Sequence, residues 1–312
     1  MSVQNYSSMG GFFLVGFPEL HNFTIPFFIV LLVVYLIILA GNLLVILLVA
    51  TTPGLHTPMY IFLSQLSLAD VIVTTTICPN TLHVIINNGG CISKVGCITQ
   101  LFIFSVSMTT ECLLLTVMSY DRYVAICNPL HYIAAINISL CLQLISFCWA
   151  LSSLVTIIVT IVISCLDFCR SYTVVNHFFC DYGPLIHLSC SDTSVLETLV
   201  LIFTAHETTI ETLFIFSTYV CIIRSIQKIS TTTGRKKAFS TCTSHLTVVC
   251  TCFGSIIAIY VSPSGKKNFS MNKIFSLLYT VVTPLLNPII YSLKNEEIRV
   301  TIIKRFIKLR NI

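Results

Sequence analysis

Seven long apolar runs, near 25–50, 58–86, 97–126, 140–165, 196–226, 237–262 and 272–293, constrain this chain more than any other feature. Each reaches the ~20 residues that a helix needs to cross a bilayer. In lipid a spanning segment must pair its own backbone groups, so runs of this length read as helices. Only 9% of the 312 residues are charged, where an ordinary soluble domain carries about a quarter. A soluble core could not hide the apolar surface that results. The expected fold class is an all-α membrane protein, a seven-transmembrane helix bundle.

Charge sets its orientation. The first 24 residues contain no Lys or Arg, so the basic start of a secretory signal peptide is missing, and the first run is too long for a signal core. It reads as a first span that also directs the chain to the membrane. With the N-terminus outside and the C-terminus inside, twelve Lys and Arg face inward and five outward, as the positive-inside bias requires. The chain then divides into an extracellular N-terminal segment (1–24), a seven-transmembrane domain (25–293) and a cytoplasmic tail (294–312). In the tail, basic residues alternate with Ile298, Ile302, Ile303, Phe306 and Ile307. That pattern predicts a short amphipathic eighth helix on the anionic inner leaflet. A small-molecule membrane transporter is the rival reading from hydropathy. Such folds usually show paired repeats, and no repeat is visible.

Most of the 15 cysteines sit inside apolar runs and read as small buried hydrophobes. Five face outward, where thiols oxidise: Cys91, Cys97, Cys169, Cys180 and Cys190. Four of them can make two bridges in a pairing that sequence alone does not give, and Cys91 is the one left over. Among the outward sequons, Asn5-Tyr6-Ser7 stands farthest from the membrane, so Asn5 is the expected glycosylation acceptor.

Ionisable groups at membrane depth are functional candidates by default. Asp70 lies about 18 Å up the second helix and Glu111 about 17 Å up the third from Arg122, at 1.5 Å per residue. Their depths match, so they can face one cavity, where two acids must share a proton or bind a cation. Glu207 and Glu211 on the fifth helix form a second pair, one turn apart, that can line a pocket or bond a neighbouring helix. His206-Glu207-Thr208-Thr209-Ile210 begins like a zinc-protease motif but has Ile where the second His would stand, so no metal is expected. No nucleophile motif or metal-ligand set accompanies Asp70 and Glu111, so no enzyme is expected.

Four longer strings are more specific. Leu55-His56-Thr57-Pro58-Met59-Tyr60 opens the second helix. The third closes on Met118-Ser119-Tyr120-Asp121-Arg122-Tyr123-Val124-Ala125-Ile126-Cys127. Lys237-Ala238-Phe239-Ser240-Thr241-Cys242-Thr243-Ser244-His245-Leu246 opens the sixth. Pro284-Leu285-Leu286-Asn287-Pro288-Ile289-Ile290-Tyr291-Ser292 closes the seventh. In this order and at these helix ends, they resemble vertebrate odorant receptors of the rhodopsin-like G-protein-coupled class. The resemblance runs from about Asn5 to about Arg299.

The resemblance implies a receptor with no cofactor, for a small, mostly apolar odorant. It also implies coupling to a stimulatory, olfactory-type heterotrimeric G protein that raises cyclic AMP. Asp121, Arg122 and Tyr123 would form the G-protein switch, with Tyr219, Asn287, Pro288 and Tyr291 rearranging on activation. Asp70 and Glu111 would form a sodium-type cation site. Bridges Cys97–Cys180 and Cys169–Cys190 are implied. The odorant would sit among Phe104, Ser105, Met108 and Thr109 of the third helix and Phe203, Thr204 and Glu207 of the fifth. Ile256, Ile257 and Tyr260 of the sixth and Leu277 and Thr280 of the seventh would complete the site. The chain departs from the family in two places. Cys252-Phe253-Gly254 stands where Phe-Tyr-Gly is usual, and the fifth helix is unusually polar at His206, Glu207 and Glu211. If Glu207 faces the pocket, it would favour ligands with a hydrogen-bond donor or an amine.

Overall fold

The computed structural model describes residues 11–168, 172–261, 269–290 and 296–310. Six of its helices are long and apolar enough to cross a membrane: α1 (Thr24–Thr51), α2 (Pro58–Ile86), α3 (Lys94–Cys127), α5 (Ile138–Ser164), α7 (Ser194–Gln227) and α8 (Thr232–Val261). A four-residue helix, α4 (Tyr132–Ala135), precedes α5, and a short α6 (Tyr182–Ile186) precedes α7. The seventh span is α9 (Phe269–Leu277), a π-helical turn (Leu278–Val282) and α10 (Thr283–Pro288), with each piece shorter than a membrane crossing. Last comes α11 (Glu296–Arg310).

Helix starts follow local chemistry. Pro58 takes the first position of α2, where its missing N–H costs nothing and its fixed φ suits a helix. The Ser93 hydroxyl caps α3 by accepting from the Gly96 amide at 3.0 Å. Asn137 caps α5 by accepting from Leu140 at 2.8 Å. Both satisfy amides that the first turn leaves orphaned. Pro288 is the more instructive proline. It cannot donate to the carbonyl four residues back, which belongs to Pro284. Asn42 of α1 donates there instead, at 3.1 Å. Gly41 lets the two helices meet, since a Cβ there would stand 2.8 Å from Pro288.

The helical bundle also carries one small sheet. β1 (Gly11–Leu14) lies between β2 (Gly90–Ser93) and β3 (Tyr172–Val175), antiparallel to β2 and parallel to β3. Phe12 and Leu14 turn into the bundle and are buried, so the N-terminal segment is the central strand of a small sheet over one end. The strands are four residues each and their partners are far apart in sequence, so no local alternation announces them. A Cys97–Cys180 disulfide ties α3 to the loop below this sheet. Cys190 is disulfide-bonded as well; Cys169, its expected partner, lies outside the described residues, as does Asn5. At the opposite end α11 packs against the bundle. Ile298 is buried, and the Tyr60 hydroxyl of α2 donates to Glu297 at 2.8 Å.

Candidate functional site

A cavity of about 190 Å³ opens between α3, α5, α7 and α8, under the loop that carries Asp181 and Tyr182. Its wall includes Phe104, Ser105, Met108 and Thr109 of α3, Phe203, Thr204 and Glu207 of α7, and Ile256 of α8. Three other expected residues are not on that wall. Ile257 is one position round α8 and is exposed. Thr280 is fully buried, and its hydroxyl donates to the Ser276 carbonyl. Leu277 packs among the apolar side chains between α9 and its neighbours. The Tyr260 side chain lies outside the described residues.

The wall also holds residues that sequence reasoning did not place there: Cys112, Thr208, Glu211, Tyr279, the α5 residues Val155, Thr156 and Val159, and Asp181 and Tyr182 from the loop. The α5 residues carried no signal, because an apolar or Thr side chain in a span reads the same toward lipid or cavity. Both acids of the α7 pair face the cavity, whereas His206 is exposed. The loop is held by side chains as well as by the disulfide. Gln100 donates to Thr76 O of α2 at 3.0 Å and accepts from the Cys180 amide at 3.0 Å. Asp181 caps α6 through the Tyr182 amide, and burial raises its carboxyl to about 6. His177, in the same loop, is stacked on Phe178 and pushed down to about 3 by burial and the nearby Lys273 charge.

Deeper in the bundle Asp70 and Glu111 are fully buried and close enough to act on each other electrostatically. Asn287 donates to Asp70 Oδ2 at 2.7 Å. The Asp70 and Glu111 carboxyls are within hydrogen-bonding reach of each other when one carries a proton, while Asn42 Oδ1, Asn287 Oδ1 and Ser67 Oγ have no hydrogen-bond partner. Unpaired buried oxygens are costly. This oxygen-rich set suits a hard cation or a proton shared between the acids. Among the described residues, no group of three or more His, Cys, Asp or Glu is placed to hold a metal ion.

The far end of α3 carries a second constellation. Asp121 pairs with Arg122 at 3.1 Å and accepts from the Tyr132 hydroxyl at 2.7 Å. Tyr123 is half-buried beside Tyr120. Tyr219 and His245 are 2.7 Å apart, and the other ring nitrogen of His245 meets Leu115 O at 3.2 Å. Only a donor can pair with a carbonyl, so Nε2–H donates to Leu115 and Nδ1 accepts from Tyr219. One imidazole thereby joins α3, α7 and α8. Sequence reading gave His245 no role, although it lies within one of the specific strings. Tyr291 lies outside the described residues.

An olfactory receptor family model matches residues 31–309. Olfactory receptor 13A1 of Homo sapiens is 40% identical over 309 residues, spanning 99% of this chain and 94% of the relative. Olfactory receptor 1G1 of Gorilla gorilla gorilla is 41% identical over 299 residues, spanning 96% and 95%. Olfactory receptor 8G5 of Homo sapiens is 40% identical over 307 residues, spanning 97% and 88%.

Proposed function

Because the chain belongs to the olfactory receptor family of multi-pass plasma-membrane G-protein-coupled receptors, which are not enzymes, we propose that it binds a small, mostly apolar volatile ligand in the cavity between α3, α5, α7 and α8. It then activates a stimulatory, olfactory-type G protein that raises cyclic AMP. The observation that carries this reading is the cavity itself, mostly apolar with a few convergent polar groups, as small-molecule sites in helix bundles are. Its ligand set is Phe104, Ser105, Met108, Thr109, Phe203, Thr204, Glu207 and Ile256, joined by Glu211 and Tyr279.

The mechanism is a population shift. A ligand changes the balance between two packings only by its differential affinity for them. The odorant touches α3, α7 and α8, the same helices that His245 joins at the other end. Repacking around the odorant would open that joint and free Arg122 from Asp121 to meet the G protein. Asn287, Pro288 and Tyr291 would move with it, and Tyr123 would flank the opened end. Asp70 and Glu111 would hold a sodium-type cation, or the shared proton, in the resting packing. The N-terminus lies outside and residues 294–312 inside, with the bilayer around residues 25–293. Asn5 carries the glycan, and Cys169 pairs with Cys190.

The test is a cyclic AMP reporter in cells expressing the full chain against a broad odorant panel, with Arg122→Ala at equal surface expression. A dose-dependent rise that Arg122→Ala abolishes is expected. Silence of a surface-expressed chain toward the whole panel would overturn the reading.

A further inference from the structure

We infer that the odorant is a small primary amine, its ammonium group held by Glu207 and Glu211 of α7 with the Ser105 hydroxyl of α3 as a further acceptor. The inference rests on the cavity being the odorant site and names the ligand class it takes. All three side chains line that cavity, and among the described residues lining it there is no Lys, Arg or His. Glu211 is only 5% exposed, and its Oε1 has no hydrogen-bond partner; Ser105 is 6% exposed, and the Tyr182 hydroxyl lies close enough to act on it. One deeply buried carboxylate oxygen is therefore aimed at the cavity without a partner inside the protein, and a hydroxyl of another helix stands on the same wall.

The chemistry of that set is one-sided. Residues four apart on a helix stand on the same face, so the Glu207 and Glu211 carboxyls are neighbours and feel each other's charge. Like charges in a low-dielectric site are costly until a cation joins them. Carboxylates only accept, and a hydroxyl can accept, whereas a primary ammonium offers three N–H donors. A carboxylic acid ligand would add a third like charge, and an alcohol offers one donor and no charge. The remaining wall, Val155, Val159 and Ile256 among it, takes an aliphatic body. A primary aliphatic amine is the volatile class that satisfies both halves.

The experiment compares heptylamine, N,N-dimethylheptylamine, heptanol, heptan-2-one and heptanoic acid on the full chain by cyclic AMP reporter, for the native protein, Glu207→Gln and Glu211→Gln at matched surface expression. A thermal-shift measurement on the purified receptor with heptylamine reads binding without any G protein. Heptylamine is expected to be the most potent probe, ahead of its dimethyl analogue, which keeps one N–H. Each Gln variant is expected to lose roughly tenfold or more in heptylamine potency relative to heptanol, as removal of one partner from a desolvated charge pair does. Should Glu211→Gln fail to reach the surface, the rank order on the native chain and Glu207→Gln carry the test. Heptanol or heptan-2-one matching heptylamine on the native chain would overturn the amine assignment and leave the odorant site standing. So would Gln variants that shift every probe equally. No response and no thermal shift with any probe would overturn the cavity as the odorant site and the amine with it.

Discussion

Helices α3 and α7 are each 34 residues long and similarly apolar in their most hydrophobic stretches. Yet 67% of that stretch of α3 is buried inside the bundle, against 11% for α7. α3 buries Ser107, Thr110, Glu111, Ser119 and Asp121 as well as its apolar side chains. α7 leaves Leu199, Leu201, Ile202, Leu213 and Phe216 exposed toward lipid and buries little beyond Glu211, Thr218, Tyr219, three isoleucines and Leu196. Apolarity marks which segments leave water; it does not say which of them leave lipid. The side of a span turned inward is shown by its polar groups, because lipid cannot satisfy them. α3 is the scaffold of the molecule, and α7 has the least buried apolar stretch of the six long described helices, with the cavity and its two acids on its inner face.

The contrast can be broken by substitution. Cys180→Ser should have the largest effect, since it unties the outer end of α3 from its loop. Loss of such a bridge typically costs about 2–5 kcal/mol, and surface expression should fall sharply. Next, leucines on the two helices should respond differently. Leu114 of α3 is fully buried, while Leu199 of α7 is 55% exposed. Leu114→Ala should cost about 2–5 kcal/mol of stability, and Leu199→Ala no more than about 0.5 kcal/mol. Equal drops in the melting temperature of the two purified variants would refute the scaffold reading. Tyr219→Phe should cost about 1 kcal/mol, because one hydrogen bond joins α7 to His245. A double-mutant cycle with His245→Phe should show a coupling of that order. A coupling near zero would mean that the Tyr219–His245 contact does not hold α7 to α8.

The spans were legible because lipid solvation writes itself into composition over twenty residues at a time. Their ends were less so. The helix α8 starts at Thr232, five residues before its apolar run at 237, because Arg235 and Lys236 can continue a helix beyond the lipid. The sheet left no mark, since Gly11–Leu14 pairs with segments from two distant loops. At the site, the resemblance to the family named Phe104, Ser105 and Met108 of α3, and they stand on the cavity wall. The orientation of Glu207 and Glu211 was not legible, because an acid pair one turn apart on a span can serve a cavity or a neighbouring helix equally well. Tyr279 was missed and Leu277 and Thr280 were named instead; the π-helical turn at Leu278–Val282 changes which side chains of the seventh span face the cavity.

The smallest expected effect concerns pH, and it separates two groups in the loop above the cavity. His177 has a folded value of about 3, below its usual 6.5, so the unfolded chain binds more protons between these values. Its stabilising contribution is complete above about pH 6.5 and falls by up to ~1.4 kcal/mol per pH unit below that. Asp181 has a folded value of about 6, above its usual 3.8, so the folded chain binds the extra proton there. Its burial is least costly below 3.8, and the penalty grows as pH rises through 6. Between about pH 6 and 4 the two slopes oppose, so each variant is read against the native receptor. Asp181→Asn, which still offers a cap oxygen to Tyr182, removes the Asp181 slope, so acidification should lower its melting temperature relative to the native receptor. His177→Phe removes the His177 slope, so acidification should raise it relative to the native receptor. Two variants that depart from the native receptor in the same direction would show that the loop titrates through some other group.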